Sequence, residues 1–183
     1  MKEKCAILVV DMLNDFVTGA LKCDRGLAIV PTTQKLLEGA RQYNVPVIFC
    51  NDSHLAGIDH ELKLWGDHAI KGTEGAKVIP ELGPKAKDYV VEKRRYSGFF
   101  HTDLDLLLKE LDVDTVIMAG LHTHMCVRHT SADAYQLGYT VYVASDATNS
   151  FTKEDYDYGI KYLQEVYAAK VFTTAELLKK FAE

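Results

Sequence analysis

A cysteine at position 126 stands where a nucleophile would be useful. The apolar, strand-like residues 117–120 lead into a five-residue turn, and Cys126 then opens a segment with helical spacing. Unpaired backbone N–H groups at a helix start favour a thiolate, which predicts a thiol pKa below the ordinary value of about 8.5. The same N–H groups can hold a developing oxyanion. The alternative is a buried, inert cysteine, which is the usual fate of this residue type.

An acid and a cation follow two other strand-like segments. Asp11 comes at the end of the first segment and Lys93 at the end of the third, whereas Cys126 follows the fourth. Ligands of open parallel sheets bind at the carboxyl ends of the strands, so these side chains are expected to converge. Together they predict a hydrolase site, because a carboxylate can take the thiol proton and return it to a leaving amine. The alternative is that Asp11 caps a turn, Lys93 is solvated and Cys126 packs in the core.

A third group of polar residues lies in the long irregular stretch 51–75. This stretch holds Asp52, His54, His60, Trp65 and His68. One aspartate with two histidines is a common ligand set for zinc or iron. Loops of this length in compact domains are usually functional, although a solvated loop whose histidines bind nothing is the alternative.

The elements that must position these residues alternate along the chain. Short runs rich in Val, Ile and Tyr predict strands at 5–10, 46–50, 89–91, 115–119, 140–144 and 169–172. Apolar residues at i, i+4 and i+7 predict helices between them. Thr102, Thr152 and Thr173 each precede an acid by three residues, which predicts helix N-caps. Strands buried on both faces that alternate with helices predict an α/β fold with a doubly wound, mostly parallel sheet.

Length, charge and cysteine usage limit the class of protein. The 183 residues predict a single domain, 1–183, with a real core. A net charge of −5 without a basic stripe argues against a nucleic-acid partner, and no apolar run reaches the roughly 18 residues that a membrane span needs. Residues 1–4 enter a strand-like run without signal-peptide features, and the four cysteines form no C-x-x-C pair. These features predict a cytoplasmic protein.

Three motifs, in order, resemble those of the isochorismatase-like cysteine hydrolases, and within them the nicotinamidase and N-carbamoylsarcosine amidase branches. They are residues 9–16 (VVDMLNDF), Lys93 with 96–99 (YSGF) and 102–104 (TDL), and 120–127 (GLHTHMCV) with Thr130 and 133–134. The resemblance covers nearly the whole chain.

The resemblance implies a fold and a catalytic group. The fold is a three-layer, doubly wound α/β structure with a six-stranded, mostly parallel sheet. The catalytic group is a triad of Asp11, Lys93 and Cys126. The resemblance also implies a cis peptide bond that joins Leu121 to His122, and an oxyanion hole formed by the backbone N–H groups of His122 and Cys126.

The resemblance also assigns the polar stretch. Nicotinamidases carry a D-x-H pair followed by W-x-x-H, and Asp52, His54, Trp65 and His68 match these positions. Asp52, His54 and His68 are therefore the expected ligands of a divalent metal cofactor. Zinc is the first expectation, and iron or manganese is the alternative. His60 is an additional candidate.

Three aromatic residues are placed around the substrate by the same resemblance. Phe16, Trp65 and Tyr96 would present aromatic faces to a flat ring or amide. The alternative for all three is core packing.

The chain departs from the family pattern at several positions. His122 stands where nicotinamidases usually have a small residue, His124 where an acid is common, and Leu13 where a glutamine is frequent. Arg94 and Arg95 follow the lysine, and either would pair with a substrate carboxylate if it pointed inward. Surface charge is the alternative for both arginines.

The function predicted from these observations is a metal-assisted cysteine amidohydrolase that acts on a small amide and releases ammonia through a thioester. An N-carbamoylsarcosine or ureide amidase is an alternative within the hydrolases, and an isochorismatase-type vinyl-ether hydrolase, which needs no thiol, is disfavoured by Cys126. An alternative of another class is a binding or thiol-redox protein on the same fold. The expected partner is a small-molecule amide, and because relatives often assemble, a homo-oligomer is also expected.

Overall fold

The computed structural model describes residues 4–183, in which six strands form a sheet. The strands are β1 (Cys5–Val10), β2 (Val47–Asp52), β3 (Tyr89–Lys93), β4 (Thr115–Leu121), β5 (Thr140–Asn149) and β6 (Lys170–Phe172). Their order across the sheet is β3-β2-β1-β4-β5-β6, and every neighbouring pair is parallel. The predicted six-stranded α/β sheet is confirmed. Residues 1–3, part of the segment on which the absence of a signal peptide was predicted, lie outside the described residues.

Eight α-helices lie between or beside the strands in residues 4–183. They are α1 (Asn14–Val17), α2 (Asp24–Ala28), α3 (Val30–Gln42), α4 (Leu62–Trp65), α5 (Leu104–Glu110), α6 (Cys126–Gln136), α7 (Lys153–Tyr167) and α8 (Thr174–Ala182). Two 3₁₀ turns, Glu74–Ala76 and Pro80–Leu82, precede β3. In this part of the chain, none of the helices combines the length and the apolar character that crossing a bilayer requires.

The two faces of the sheet carry separate apolar layers. Side chains alternate along a strand, so Ile7 and Val9 of β1 pack with the layer that includes α3 and α8. Leu8 and Val10 pack with the layer that includes α5, α6 and α7. All four side chains are fully buried, which explains why the strand reads as a continuous apolar run.

The strand order places a switch point between β1 and β4. From β1 the chain moves outward through β2 and β3, and it then returns to add β4 on the other side of β1. A crevice forms at the carboxyl ends of strands at such a point. Gly120 allows the close approach there, because its φ is +97° and a Cβ atom would lie 2.0 Å from the Val10 carbonyl oxygen.

The helix starts are as predicted in two of three places. Thr152 caps α7 by accepting a hydrogen bond from the backbone of Asp155, and Thr173 forms a capping box with Glu176 at α8. The predicted N-cap at Thr102 is wrong. Helix α5 begins after Asp103, and the Thr102 hydroxyl instead accepts from the backbone N–H of Leu104 at its first residue.

The stretch 51–75 is more regular than the sequence predicts. Its first two residues complete β2, because pairing with β3 continues as far as Asp52 opposite Lys93. It also contains α4 and an isolated bridge between His54 and Ile70, in which the His54 N–H donates to the Ala69 carbonyl over 2.9 Å. This bridge folds the stretch back on itself and brings His68 to the end of β2.

Candidate active site

The acid, the cation and the thiol predicted from the sequence lie together at the switch point. Asp11 follows β1, Lys93 is the last residue of β3, and Cys126 is the first residue of α6. The Lys93 Nζ atom lies 2.8 Å from Oδ2 of Asp11. The Cys126 Sγ atom and one carboxylate oxygen each of Asp11 and Asp52 lie within 4.8 Å of one another. All four side chains are buried.

The lysine is held between two carboxylates. Besides Asp11, its ammonium donates to Oδ1 of Asp52 over 2.6 Å, and the backbone N–H of Asp52 donates to Oδ1 of Asp11 over 2.8 Å. Burial lowers the pKa of Lys93, but the charges of Asp11 and Asp52 outweigh that effect and raise it well above its ordinary value. Lys93 therefore supplies a fixed positive charge beside Cys126.

The carboxyl group of Asp11 has the protonation behaviour of a general base. Burial and the neighbouring Asp52 charge raise its pKa to about 6, against the opposing influence of Lys93. The group is therefore largely ionised at neutral pH and can accept a proton.

The thiol does not have the low pKa predicted from its helix-start position. Burial raises the pKa of Cys126 well above its ordinary value, although the Lys93 charge acts in the opposite direction. The sequence pattern located the helix start correctly but could not show how deeply the thiol is buried. Because a buried thiol stays protonated, its reactivity depends on a base such as Asp11.

The turn before the cysteine is fixed by backbone hydrogen bonds. The peptide bond between Leu121 and His122 is cis. The N–H of Thr123 donates to the Asn149 carbonyl, and the N–H of Met125 to the His122 carbonyl, each over 2.9 Å. Within residues 4–183, the backbone N–H groups of His122 and Cys126 donate to no protein acceptor. Those are the two donors that the resemblance assigns to an oxyanion hole.

Gly159, in the middle of α7, contributes to the position of this turn, and its spacing in the sequence gives no indication of that role. A Cβ atom at this position would lie 2.9 Å from the backbone nitrogen of His124 and 3.0 Å from the carbonyl carbon of Thr123. The absence of a side chain therefore lets α7 pack directly on the nucleophile turn.

The three expected metal ligands form a buried group next to the triad. One ligand atom each of Asp52, His54 and His68 lies within 4.8 Å of the other two. The Nδ1 atom of His54 lies 3.1 Å from a carboxylate oxygen of Asp59, and that of His68 lies 2.8 Å from the Gly66 carbonyl oxygen. The Nε2 atom of His54 is buried and has no hydrogen-bond partner in the described structure. This arrangement fits a divalent metal. In metal sites, the histidine ring nitrogen that does not bind the metal is usually hydrogen-bonded, and this bond orients the ring as a ligand.

Asp59 and Arg94 form a charged pair on the Nδ1 side of the His54 ring. Asp59 accepts from the Arg94 Nε over 2.9 Å and from the backbone N–H of Leu55 over 3.0 Å. The Arg94 guanidinium holds the pKa of Asp59 well below its usual range. Arg94 thus pairs with a carboxylate of the chain itself, and not with a group in the active site.

Glu61 is a further acid of the site, and it lies outside every motif quoted above. Its Oε2 atom lies 4.0 Å from Nε2 of His54, and burial with the nearby Asp52 charge raises its pKa to about 7. His60, the additional candidate, is exposed and lines an outer groove instead.

A narrow pocket lies directly above the thiol, and we call it the Cys126 pocket. Its lining residues are Phe16, Leu21, Asp52, Glu61, Trp65, His68, Tyr96, His122, Met125, Cys126 and Phe151. The three aromatic residues placed there by the resemblance are among them. Trp65 and Tyr96 form part of one wall, joined by a 3.0 Å hydrogen bond from the indole Nε1 to the phenol oxygen. A lining of aromatic and apolar side chains with a few polar groups is typical of a small-molecule site.

Phe151 is the aromatic residue of the Cys126 pocket that sequence reasoning missed. Its ring stacks on His122, with centroids 3.9 Å apart, and faces Trp65 at 6.4 Å. It follows β5, and no spacing rule connects it with the other three aromatic residues.

The remaining departures from the family pattern lie around this pocket. The ring of His124 is hydrogen-bonded to Ser150 over 3.0 Å and does not line it. Leu13 is fully buried and pairs with Val78 in an isolated bridge. Arg95 lines the outer groove, and among the described residues neither Arg95 nor Arg94 lines the Cys126 pocket.

Comparison with known families agrees with this geometry. The sequence model of the isochorismatase domain matches residues 5–176, which is most of the chain. This protein belongs to the isochorismatase family. The resemblance found in the three sequence motifs is thereby confirmed, and as a family member the protein has a hydrolase fold.

Three solved structures are similar to this isochorismatase-family chain. An isochorismatase-like hydrolase from Alkaliphilus metalliredigens is 42% identical, with a TM-score of 0.93 over 97% of this chain and 99% of that one. An N-carbamoylsarcosine amidase from Thermoplasma acidophilum is 40% identical, with a TM-score of 0.88 over 93% and 96%. A pyrazinamidase from Pyrococcus horikoshii in complex with zinc is 27% identical, with a TM-score of 0.86 over 93% and 99%.

Proposed function

We propose that this isochorismatase-family hydrolase is a cysteine amidohydrolase that cleaves the C–N bond of a small, neutral amide of the nicotinamide type and releases ammonia. The observation that carries the proposal is the buried group of Asp11, Lys93 and Cys126. The carboxylate and the thiol lie within 4.8 Å of each other, and the ammonium is bonded to the carboxylate. The amidases among the similar structures support the same reaction class.

The first half of the reaction forms a thioester. Asp11 takes the Sγ proton of Cys126 as the sulfur attacks the carbonyl carbon, and the backbone N–H groups of His122 and Cys126 stabilise the oxyanion. The C–N bond then breaks, and Asp11 gives its proton to the amine, which leaves as ammonia. Lys93 stays protonated throughout and stabilises the carboxylate and the thiolate by its charge.

The second half restores the enzyme. Asp11 takes a proton from a water molecule that attacks the thioester carbonyl. The C–S bond breaks, the acid is released, and the proton returns to Cys126. The net reaction is amide plus water to carboxylic acid plus ammonia.

Asp52, His54 and His68 would hold the metal cofactor, and Glu61 lies close enough to assist them. When bound, a divalent metal would supply Lewis-acid attraction for a polar group of the substrate or for a water molecule. Asp52 also bonds to Lys93, so this residue serves both groups. A zinc-bound pyrazinamidase among the similar structures supports zinc as the metal.

An N-carbamoylsarcosine or ureide amidase is the second candidate, because one of the similar structures, 40% identical, is that of an N-carbamoylsarcosine amidase. Its substrate would bring a carboxylate into the site. Among the cationic side chains of residues 4–183 near the Cys126 pocket, Lys93 bonds to Asp11 and Asp52, and Arg94 bonds to Asp59. Arg95 lines the outer groove instead. A neutral amide is therefore the better match.

A thiol-redox protein is the candidate of another class, and the thiol environment disfavours it. Thiolate, not thiol, reacts with disulfides, and burial holds the Cys126 thiol in its protonated form.

Ammonia release tests the proposal. The wild-type protein and Cys126→Ala are assayed with nicotinamide, pyrazinamide and N-carbamoylsarcosine, with zinc and after chelation. We expect ammonia from a ring amide with the wild type only, together with an acyl-enzyme detected by mass spectrometry after rapid quenching. If no amide yields ammonia, or if Cys126→Ala equals the wild type, the amidohydrolase assignment is wrong. Full activity after complete metal removal would contradict the role proposed for the metal, but not the roles of Asp11, Lys93 and Cys126.

A further inference from the structure

His122 has a ring that is buried in the Cys126 pocket without a hydrogen-bond partner. Its side chain is 1% exposed and lines the pocket together with Cys126. Neither Nδ1 nor Nε2 has a partner within residues 4–183. Buried polar groups in native proteins are nearly always paired, so two unpaired nitrogens on one ring call for an explanation.

The surroundings of the ring fix its orientation and leave its edge available. Phe151 covers one face, with an interplanar angle of 26°, and Phe16 lies on another side with its centroid at 6.1 Å. The adjacent His124 is bonded to Ser150 and does not satisfy His122. Burial, helped by His124, lowers the pKa of His122 to about 3, so its imidazole is neutral and offers one donor and one acceptor.

We propose that His122 is a specificity residue, whose ring edge hydrogen-bonds a polar atom in the body of the substrate beyond the scissile amide. The inference rests on the proposed amidohydrolase function, and it adds that His122 is the residue that selects an amide whose body carries a hydrogen-bonding atom. The backbone N–H of the same residue is one of the two proposed oxyanion donors, and the His122 ring lines the same pocket as the thiol. An amide with a purely hydrocarbon ring would leave the imidazole nitrogens buried and unpaired, which costs free energy.

The shape of an aromatic pocket alone cannot distinguish a ring amide that contains nitrogen from one that does not. Benzamide, nicotinamide and pyrazinamide have nearly the same outline and differ only in ring nitrogens. Apolar walls such as Phe16 and Phe151 would accept all three almost equally. A site built to hydrogen-bond a substrate atom discriminates far more strongly against an analogue that lacks that atom.

Ligand binding by an inert variant tests this role separately from catalysis. Dissociation constants for benzamide, nicotinamide and pyrazinamide are measured by calorimetry in zinc-loaded Cys126→Ala. The same measurements follow in Cys126→Ala combined with His122→Phe or with His122→Asn. Phenylalanine keeps the stack on Phe151 but has no ring nitrogen, whereas asparagine is smaller and keeps a donor and an acceptor. Because all three proteins keep the same metal ligands, selectivity due to the metal cancels in the comparison.

We expect the parent to bind a ring-nitrogen amide roughly ten- to hundredfold more tightly than benzamide. His122→Phe should abolish most of that ratio, and His122→Asn should retain part of it. A parent without preference, an unchanged ratio in His122→Phe, or an equal loss in both variants would overturn the proposal. Ammonia release by the wild type is measured in parallel, so selective binding without turnover would refute the hydrolase function and leave the role of His122 intact.

Discussion

The Nζ atom of Lys93 lies 2.6 Å from Oδ1 of Asp52, and this contact joins the proposed nucleophile group to the group of expected metal ligands. Lys93 and Asp52 are paired across β3 and β2, in register, at the last residue of each strand. The two functional groups are therefore parts of one buried charge network, in which Asp11 and Asp52 share a single ammonium. A change at either end alters the charges that the other end experiences.

Removal of the shared ammonium should destabilise the fold as well as stop the reaction. In Lys93→Met, the two buried carboxylates face each other without a countercharge, so we expect the free energy of unfolding to fall by about 3–5 kcal/mol. Urea unfolding at neutral pH measures this change. Lys71→Met, which breaks an exposed pair with Glu92, is the control and should cost less than about 1 kcal/mol. Equal stability of the two variants would show that Lys93 is not essential to the network.

The sequence predicts the triad and the metal ligands because each lies at a strand end or in a motif with fixed spacing. The convergence of Asp11, Lys93 and Cys126 was predicted from the rule that the carboxyl ends of parallel strands meet at one edge of the sheet. Asp52, His54 and His68 were expected as ligands because one irregular stretch holds an acid and several histidines, and because they match the D-x-H and W-x-x-H pattern of nicotinamidases. Local pattern, simple topology and the family resemblance were sufficient to predict that these residues lie together.

The rest of the site depends on tertiary contacts that leave no periodic signal. Asp59 and Arg94 are 35 positions apart, and their pairing becomes visible only when the chain folds back at the bridge next to His54. Phe151 meets His122 because β5 runs beside β4. The thiol pKa was predicted in the wrong direction for a related reason, since the depth at which Cys126 lies is set by the whole fold.

The support that Asp59 gives to His54 should be measurable in metal affinity. Asp59→Asn keeps the side-chain size but weakens the bonds to His54 and Arg94, so zinc affinity should fall about 10- to 100-fold. Calorimetric titration of the metal-free protein with zinc provides the readout. Arg95→Gln is the control, since among residues 4–183 its guanidinium is hydrogen-bonded to the Arg94 carbonyl alone. Unchanged zinc affinity in Asp59→Asn would mean that His54 needs no such support.

Gly159 offers a test of how closely α7 must pack on the nucleophile turn. In Gly159→Ala, the new methyl group would press on the backbone of Thr123 and His124, so kcat should fall on the order of ten- to hundredfold. Gly39→Ala is a matched control, because its methyl group would collide with Leu178, a contact outside the Cys126 pocket. That variant should keep its kcat, because the Leu178 side chain can move aside without disturbing the nucleophile turn. Steady-state assays of both, with melting curves, separate the two effects, and a normal kcat in Gly159→Ala would contradict the packing argument.

The neutral state of His122 should make the protein sensitive to acid. In the unfolded chain the imidazole takes up a proton below its ordinary pKa of 6.5, whereas the folded protein resists protonation until about pH 3. The unfolded state therefore binds more protons in this window, and the free energy of unfolding falls as the pH falls, by up to about 1.4 kcal/mol per pH unit. Urea unfolding of the wild type and of His122→Phe at a series of pH values isolates this contribution. The wild type should lose stability relative to His122→Phe as the pH drops from about 6.5 towards 4.5, because phenylalanine has no proton to bind in either state. Parallel stability curves for the two proteins, or a His122 ring resonance that titrates near its ordinary pKa, would show that the imidazole is not held neutral.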